Sequence, residues 1–469
     1  MTFVQLEFLW FLLIVLTLYW GMPKRRWQNA LLAVASAVFY GWVHPWFLLL
    51  LYGSAVLDYN VGHAMQRHPS RKKLLLGLSM AGNLGMLGYF KYCDFFIENV
   101  VAALDSLGLH TSMHTLGIFL PVGISFYTFQ TMSYTIDIYR GELKPRRDFL
   151  DYVVFVSFFP QLVAGPVERA SRLLPQVEQD RKFRGDVFAS GVGLAMWGGF
   201  KKMMVADTIS PYVDKIMLTK EPSGAMIAAA TVGFAIQILA DFSGYTDIAR
   251  GLARMLGFEL MENFKHPYMA ANPSDFWRRW HVSFSTWIRD YLYIPLGGSK
   301  GGRLSTLKAT FGAMVLSGLW HGASWNFVLW GGFHAALITG YRAVTSRIPK
   351  SVRRDSRWRP LTIPLMFGFT CLGWLIFRET RIERLVYYAS LNPLVGSTDQ
   401  WIATATMLAV SALCATPLVL GLVVETMVVP RIADKPWFLP VRTTAWAFMA
   451  LGMLIFFRLS TLDFIYFQF

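Results

Sequence analysis

Three observations predict an all-α, polytopic integral membrane protein. Of 469 residues, 54% are hydrophobic and only 16% charged, where soluble domains carry about 25% charged residues. The mean hydropathy is +0.40. Apolar runs able to cross a hydrocarbon core of about 30 Å recur from the first residues to the last. No stretch reads as a separate soluble module, so residues 1–469 are expected to form a single membrane-embedded domain, with peripheral helices at about 402–469.

The run at 3–19 is expected to be a retained first helix, because it contains Glu7 and lacks the basic start and small-residue cleavage site of a secretory signal. Further helices are expected at 28–42, 46–61, 74–92, 116–139, 188–204, 225–240, 307–319, 327–340, 361–377, 402–424 and 445–457. Several are too short to cross alone. Tilted, broken and re-entrant helices are therefore expected, which is tolerated only where protein or a water-filled cavity covers the freed backbone. The run at 151–166 is interrupted by Pro160 and flanked by basic loops on both sides, so it is expected to dip in and return.

A net charge of +15 raises the question of nucleic acid. The cations instead sit in short loops between apolar runs: Arg25 and Arg26, then Arg67, Arg71, Lys72 and Lys73, then Arg140, Lys144, Arg146 and Arg147. Between Cys93 and Tyr139 there is neither Lys nor Arg. That asymmetry is a topology signal, placing the basic loops inside and the 94–114 segment on the far side. No nucleic-acid partner is expected. Cys93, Cys371 and Cys414 form no CxxC pair, and no zinc, P-loop or dinucleotide spacing occurs, so no metal site is expected. The chain shows no internal repeat of the kind that marks inverted-repeat transporters.

Candidate chemistry centres on His321, in Gly-Leu-Trp-His-Gly-Ala-Ser-Trp (318–325). An ionisable side chain at bilayer depth is costly and is by default a functional residue. Gly318 and Gly322 permit a tight turn, presenting the imidazole at a break between two helices, with Trp320 and Trp325 as flat walls. The block at 272–299 reads as one amphipathic helix capped by Ser274 or Asp275. Trp277, Trp280, Phe284, Trp287, Ile288 and Tyr291 share a face at about 100° per residue. His281 lies at the edge of that face; a packed, hydrogen-bonded histidine is its plainer reading. His334 ranks third for the same reason. Asp241 and Asp247 lie near a helix end, where Asp241 is expected to pair with an arginine or orient a histidine. No Gly-x-Ser-x-Gly lies on a strand-to-helix turn. Direct transfer, with a histidine as general base, is therefore expected over a covalent enzyme intermediate.

These residues resemble the membrane-bound O-acyltransferase family, in its bacterial polysaccharide O-acetylase branch. The matching runs are Asp-Phe-Ser-Gly-Tyr-Thr-Asp (241–247), Glu-Asn-Phe-x-x-Pro-Tyr (262–268), the Trp-Arg-Arg-Trp-His block through Tyr-Leu-Tyr-Ile-Pro-Leu-Gly-Gly (275–298), and Gly-Leu-Trp-His-Gly-Ala (318–323), densest over 241–341. The resemblance implies that His321 is the essential histidine and His281 the second, with Trp320, Asp241, Trp325 and Trp280 supporting or lining the site. It implies a ring of tilted helices around a central tunnel in the bacterial inner membrane, fed from the cytoplasm by acetyl-CoA, with no bound cofactor. It also implies O-acetylation of an exopolysaccharide of alginate or cellulose type, with a periplasmic acetyltransferase protein and the polysaccharide synthesis and secretion complex as partners. A D-alanyl or peptidoglycan acyltransferase of the same family is the near alternative; a transporter or flippase without chemistry is the distant one.

Overall fold

The structure is a computed structural model that describes residues 1–163, 165–349, 355–435, 437–457 and 464–465; the regular elements among them are all helical. The chain divides into two compact units, Met1–Val192 with Ala249–Met261, and Gly193–Ile248 with Glu262–Phe469.

The first unit holds α1 (Leu6–Gly21), α2 (Arg25–Gly41), α3 (Phe47–Arg67), α4 (Lys72–Leu87), α5 (Cys93–Ser106), α6 (Ile124–Arg140), α7 (Phe149–Ser157), α8 (Phe159–Leu162) and α9 (Ala170–Glu178). Helix α1 turns Leu6, Leu9, Trp10, Leu13 and Ile14 outward, an apolar surface suited to lipid. The span expected at 116–139 is shorter than anticipated. Pro121 and the left-handed Gly123 (φ 79°) delay the helix until Ile124, and the preceding strip hangs on Asp94, which accepts from the amides of Leu116 (2.8 Å) and Ile118 (3.2 Å). Helix α5, in turn, was not expected.

The interruption expected at Pro160 is present. The backbone leaves the helix at Phe158 (φ −49°, ψ 107°) and resumes in α8. The carbonyl of Phe155 freed there accepts from Gln130 Nε2 (2.5 Å) and Gln161 Nε2 (2.8 Å), while the amide of Phe159 donates to Ser36 Oγ (3.0 Å). Side chains thus replace the missing helical bonds, as a broken helix away from water requires.

Helices α10 (Gly185–Phe200) and α12 (Gly224–Met255) contribute residues to both units. The second unit also holds α11 (Asp207–Met217), α13 (Pro273–Trp277), α14 (Val282–Ile288), α15 (Gly302–His321), α16 (Trp325–Thr345), α17 (Arg359–Arg378), α18 (Ile382–Ser390), α19 (Thr398–Val423), α20 (Val429–Ile432) and α21 (Phe438–Ile455). Among the described residues four helical stretches are long and apolar enough to cross a membrane: Gly224–Met255, Ser356–Arg378, Thr398–Ile432 and Phe438–Ile455. The first is 78% buried and the last 0%. The central role of α12 and the peripheral one of α21 follow.

Two expectations need correction here. The span at 225–240 continues to Met255, so Asp241 and Asp247 lie inside a helix rather than near its end; buried lysines facing them make the longer helix possible, as described below. The block at 272–299 is not one helix. Asn272, not Ser274 or Asp275, caps α13, accepting from the amide of Asp275 (2.9 Å), and the chain breaks at His281 before α14 begins.

Helices α15 and α16 pack backbone to backbone. A Cβ on Gly318 would overlap the carbonyl oxygen of Phe327, and one on Gly331 would overlap that of Met314. Only glycine allows this approach. It brings the end of α15 against the start of α16.

Candidate active site

His321 is the last residue of α15; Gly322 is extended, and α16 starts at Trp325. The imidazole is therefore presented at a break between helices, as its glycine flanks imply. It is buried among rings. Trp320 lies 4.8 Å away by centroid, Trp330 5.1 Å and Phe377 5.2 Å, the last two edge-on. Phe284 of α14 lies 5.7 Å away and stacks on Trp320 at 4.2 Å.

His281 approaches the same pair from the other side. Its ring is 5.0 Å from Phe284 and 6.2 Å from Trp320, and it meets Phe242 of α12 edge-on at 4.8 Å. Phe284 and Trp320 thus stand in contact with both histidines. The backbone of His281 is left-handed (φ 44°, ψ 56°), a costly conformation for a residue with a Cβ that persists only when its surroundings impose it. Asn263 imposes it. Its side-chain oxygen accepts from the amide (3.2 Å) and hydroxyl (2.6 Å) of Ser283, and its carbonyl accepts from the amide of Val282 (2.9 Å). His281 is 1% exposed, yet neither ring nitrogen has a hydrogen-bond partner among the described residues. Buried polar atoms left in that state are exceptional.

The other expected residues separate. Trp280 is buried in a second aromatic layer, against Trp374 (4.7 Å) and Phe264 (4.9 Å). His334 is buried against Trp277 (5.1 Å) and Trp330 (4.8 Å). Trp325 differs from the enclosed wall expected of it, being 55% exposed at the first turn of α16.

Among the described residues, Asp241 pairs with neither an arginine nor a histidine. Its partner is Lys202, whose ammonium lies 2.8 Å from both Asp241 and Asp207. Lys201 beside it bonds Asp247 (2.6 Å) and Ser243 (2.9 Å). A lysine buried between carboxylates offsets its own desolvation only through such pairing. The second carboxylate oxygen of Asp241 accepts from the amide of Ile465 (2.7 Å). Phe464 then packs on Tyr245 (4.6 Å) and on Phe242 (5.5 Å), the ring that meets His281. Asp241 therefore ties α12 and residues 464–465 together one layer behind the histidines. Sequence reasoning passed over Lys201 and Lys202. The available signal was two adjacent cations inside an apolar run, 40 residues before two carboxylates that need partners.

A cavity of about 310 Å³ opens between α14, α15 and α16. Phe284, Ser317 and Met314 form inner walls, and Arg278, Arg289 and Arg342 are exposed around it. Ser317 lies one helical turn before His321. Phe284 is thus shared between cavity and histidine pair.

Helices long and apolar enough to cross a membrane, with two buried histidines beside a basic-flanked cavity in the second unit, define a multi-pass membrane protein with an enzyme-like centre. The chain belongs to the membrane-bound O-acyltransferase family, whose family model matches residues 145–384, and it is an O-acyltransferase. It is 39% identical to the probable alginate O-acetylase AlgI of Pseudomonas syringae pv. tomato, over 80% of this chain and 71% of that protein. It is 33% identical to the peptidoglycan O-acetyltransferase of Helicobacter pylori, over 75% of this chain and 71% of that protein. The teichoic acid D-alanyltransferase of Bacillus subtilis is 29% identical over 60% of this chain and 74% of its own length.

Proposed function

We propose that the protein moves acetyl groups from acetyl-CoA across the bacterial inner membrane for O-acetylation of an exopolysaccharide, with His321 as general base. The observation that carries this reading is the sharing of Phe284 and Trp320 by two buried histidines, with Phe284 also walling the arginine-flanked cavity. Arg278, Arg289 and Arg342 supply the positive field that draws the phosphates of CoA, and the apolar inner wall suits the acyl end. In the transfer, His321 takes the proton of an acceptor hydroxyl as its oxygen attacks the thioester carbonyl. The carbon–sulfur bond breaks, and the proton leaves with the CoA thiolate. The unpartnered nitrogens of His281 are suited to bonding the thioester oxygen as charge develops there. Asp241, held by Lys202, keeps α12 and the ring of Phe242 in place behind His281.

The acceptor hydroxyl belongs to the polymer at its synthesis complex or to a periplasmic acetyltransferase protein; it reaches His321 through a tunnel from the outer side, and the acetyl ester leaves with it. Greater identity to the alginate O-acetylase than to the D-alanyltransferase supports an acetyl donor. The test is release of free CoA from acetyl-CoA by the purified protein in membrane vesicles, and acetate on the exopolysaccharide of intact cells. Wild type is expected to do both and His321→Ala neither. Intact acetyl-CoA with wild type would indicate a carrier without chemistry; full acetylation by His321→Ala would remove the histidine from the mechanism.

A further inference from the structure

A second cavity, of about 260 Å³, lies wholly in the first unit, beyond the end of α1. Its lining carries four cations, Arg181, Lys182, Arg184 and Arg254, against one carboxylate, Asp180. Two of the cations are already paired: Arg254 with Glu259 (2.8 Å) and Arg184 with Asp186 (2.7 Å). The other two are not. Lys182 makes no ion pair or hydrogen bond with any described residue. Among the described residues, the guanidinium of Arg181 donates to neutral acceptors, the carbonyls of Gln176 (3.2 Å), Val177 (3.1 Å) and Gln179 (3.5 Å) and the side chain of Asn29, and lies over the rings of Phe258 and Tyr19. Its Nε is buried and without a partner among the described residues. Burial holds the pKa of Arg181 below its ordinary value against the opposing influence of Tyr19. A fixed guanidinium with one free N–H and no carboxylate hydrogen-bonded to it among the described residues favours an anion in the adjoining space.

The apolar part of the lining says which anion. Trp20 lines the cavity and meets the exposed Phe183 edge-on at 5.3 Å; Phe183 in turn meets Phe188 at 5.5 Å. Leu6, Leu13 and Trp20 recur at seven-residue spacing, two helical turns, so they share one side of α1. Leu6 and Leu13 are more than half exposed. The cavity therefore lies at the foot of an outward apolar strip, on the end of α1 that Arg25 and Arg26 follow, and is lined by an indole, the side chain favoured at membrane–water interfaces. Its volume is below the roughly 300–1,000 Å³ of drug-sized ligand sites, a fit for a headgroup rather than a whole nucleotide.

We propose that this cavity binds the phosphate of an anionic phospholipid, with Arg181 and Lys182 holding the headgroup and the acyl chains lying along the Leu6, Leu13 and Trp20 strip. Native mass spectrometry of the full chain in detergent tests this, with phosphatidylglycerol and phosphatidylcholine of identical acyl chains. Wild type is expected to retain one phosphatidylglycerol with about tenfold preference over phosphatidylcholine, since each interfacial cation contributes measurably to anionic-lipid binding. The double variant Arg181→Gln, Lys182→Glu is expected to lose that preference. Lys182→Gln, at a position bonded to no described residue, is expected to weaken it with the fold undisturbed. Equal preference in wild type and both variants would overturn the site. Displacement of the retained lipid by excess inorganic phosphate would overturn the lipid assignment in favour of a free anion.

Discussion

Two buried polar clusters in this molecule are built on opposite principles. In the first unit Asp58 of α3 accepts from Ser79 Oγ (2.5 Å) and Asn83 Nδ2 (2.8 Å) of α4. The network continues through Ser54, which donates to Asn83 Oδ1 (2.6 Å) and meets Thr131 (3.2 Å), and through Thr135 of α6, which meets Ser79 (3.1 Å). Hydroxyls and an amide surround the carboxylate, binding three helices together. In the second unit His281 has aromatic rings where Asp58 has hydrogen-bond partners. Burial of a titratable group is common to both. What separates a structural cluster from a reactive one is whether its polar atoms already have their partners.

Substitutions sharpen the contrast, beginning with the largest effect. His321→Ala is expected to lower acyl transfer by about a hundred- to ten-thousandfold, the usual contribution of a general base, with helix content and melting temperature in detergent unchanged. His281→Phe is the sharper probe of the second unit. It replaces two unpartnered nitrogens by carbon in an aromatic nest, so the melting temperature should hold or rise while transfer falls by about a hundredfold. A fall in both would place His281 with Asp58 as a structural residue.

Lys202→Met removes the ammonium held between Asp207 and Asp241, and a loss of about 3–5 kcal/mol is expected, read as a lower melting temperature. Gly318→Ala forces α15 away from α16 and is expected to cost about 1–3 kcal/mol, accompanied by reduced transfer because His321 lies one turn on. Asp58→Leu closes the series. It leaves Ser79 and Asn83 without their acceptor, and a loss of about 1–3 kcal/mol is expected, with transfer per folded molecule unchanged. A specific loss of transfer in Asp58→Leu would erase the distinction between the two clusters.

Much of the helical architecture was legible because the bilayer imposes a length and a composition that show in a single sequence. The elements that were missed or misdrawn are those decided by partners distant in the chain. Residues 272–299 carry a continuous amphipathic pattern, and only Asn263, nine positions upstream of that block, reveals that the chain must break at His281. Asp241 and Asp247 read as helix-end residues because charge inside an apolar helix is improbable until Lys201 and Lys202 are seen to neutralise it. Within the site, glycines on both sides of His321 announced the turn. The rings around it from α14, α16 and α17 lie too far along the chain for spacing to connect them. Trp325 was misplaced because a tryptophan in an apolar motif serves equally well as an outward-facing residue.

The position of His321 on the last turn of α15 has an electrostatic consequence. Peptide dipoles add along a helix, so its carboxyl end carries partial negative charge, favouring a nearby cation by about 0.3–1 kcal/mol at exposed sites and more where solvent is scarce. The twenty residues from Gly302 to His321 all point their carbonyls toward that imidazole. On the proposed mechanism, the proton taken from the acceptor hydroxyl arrives at the negative end of α15.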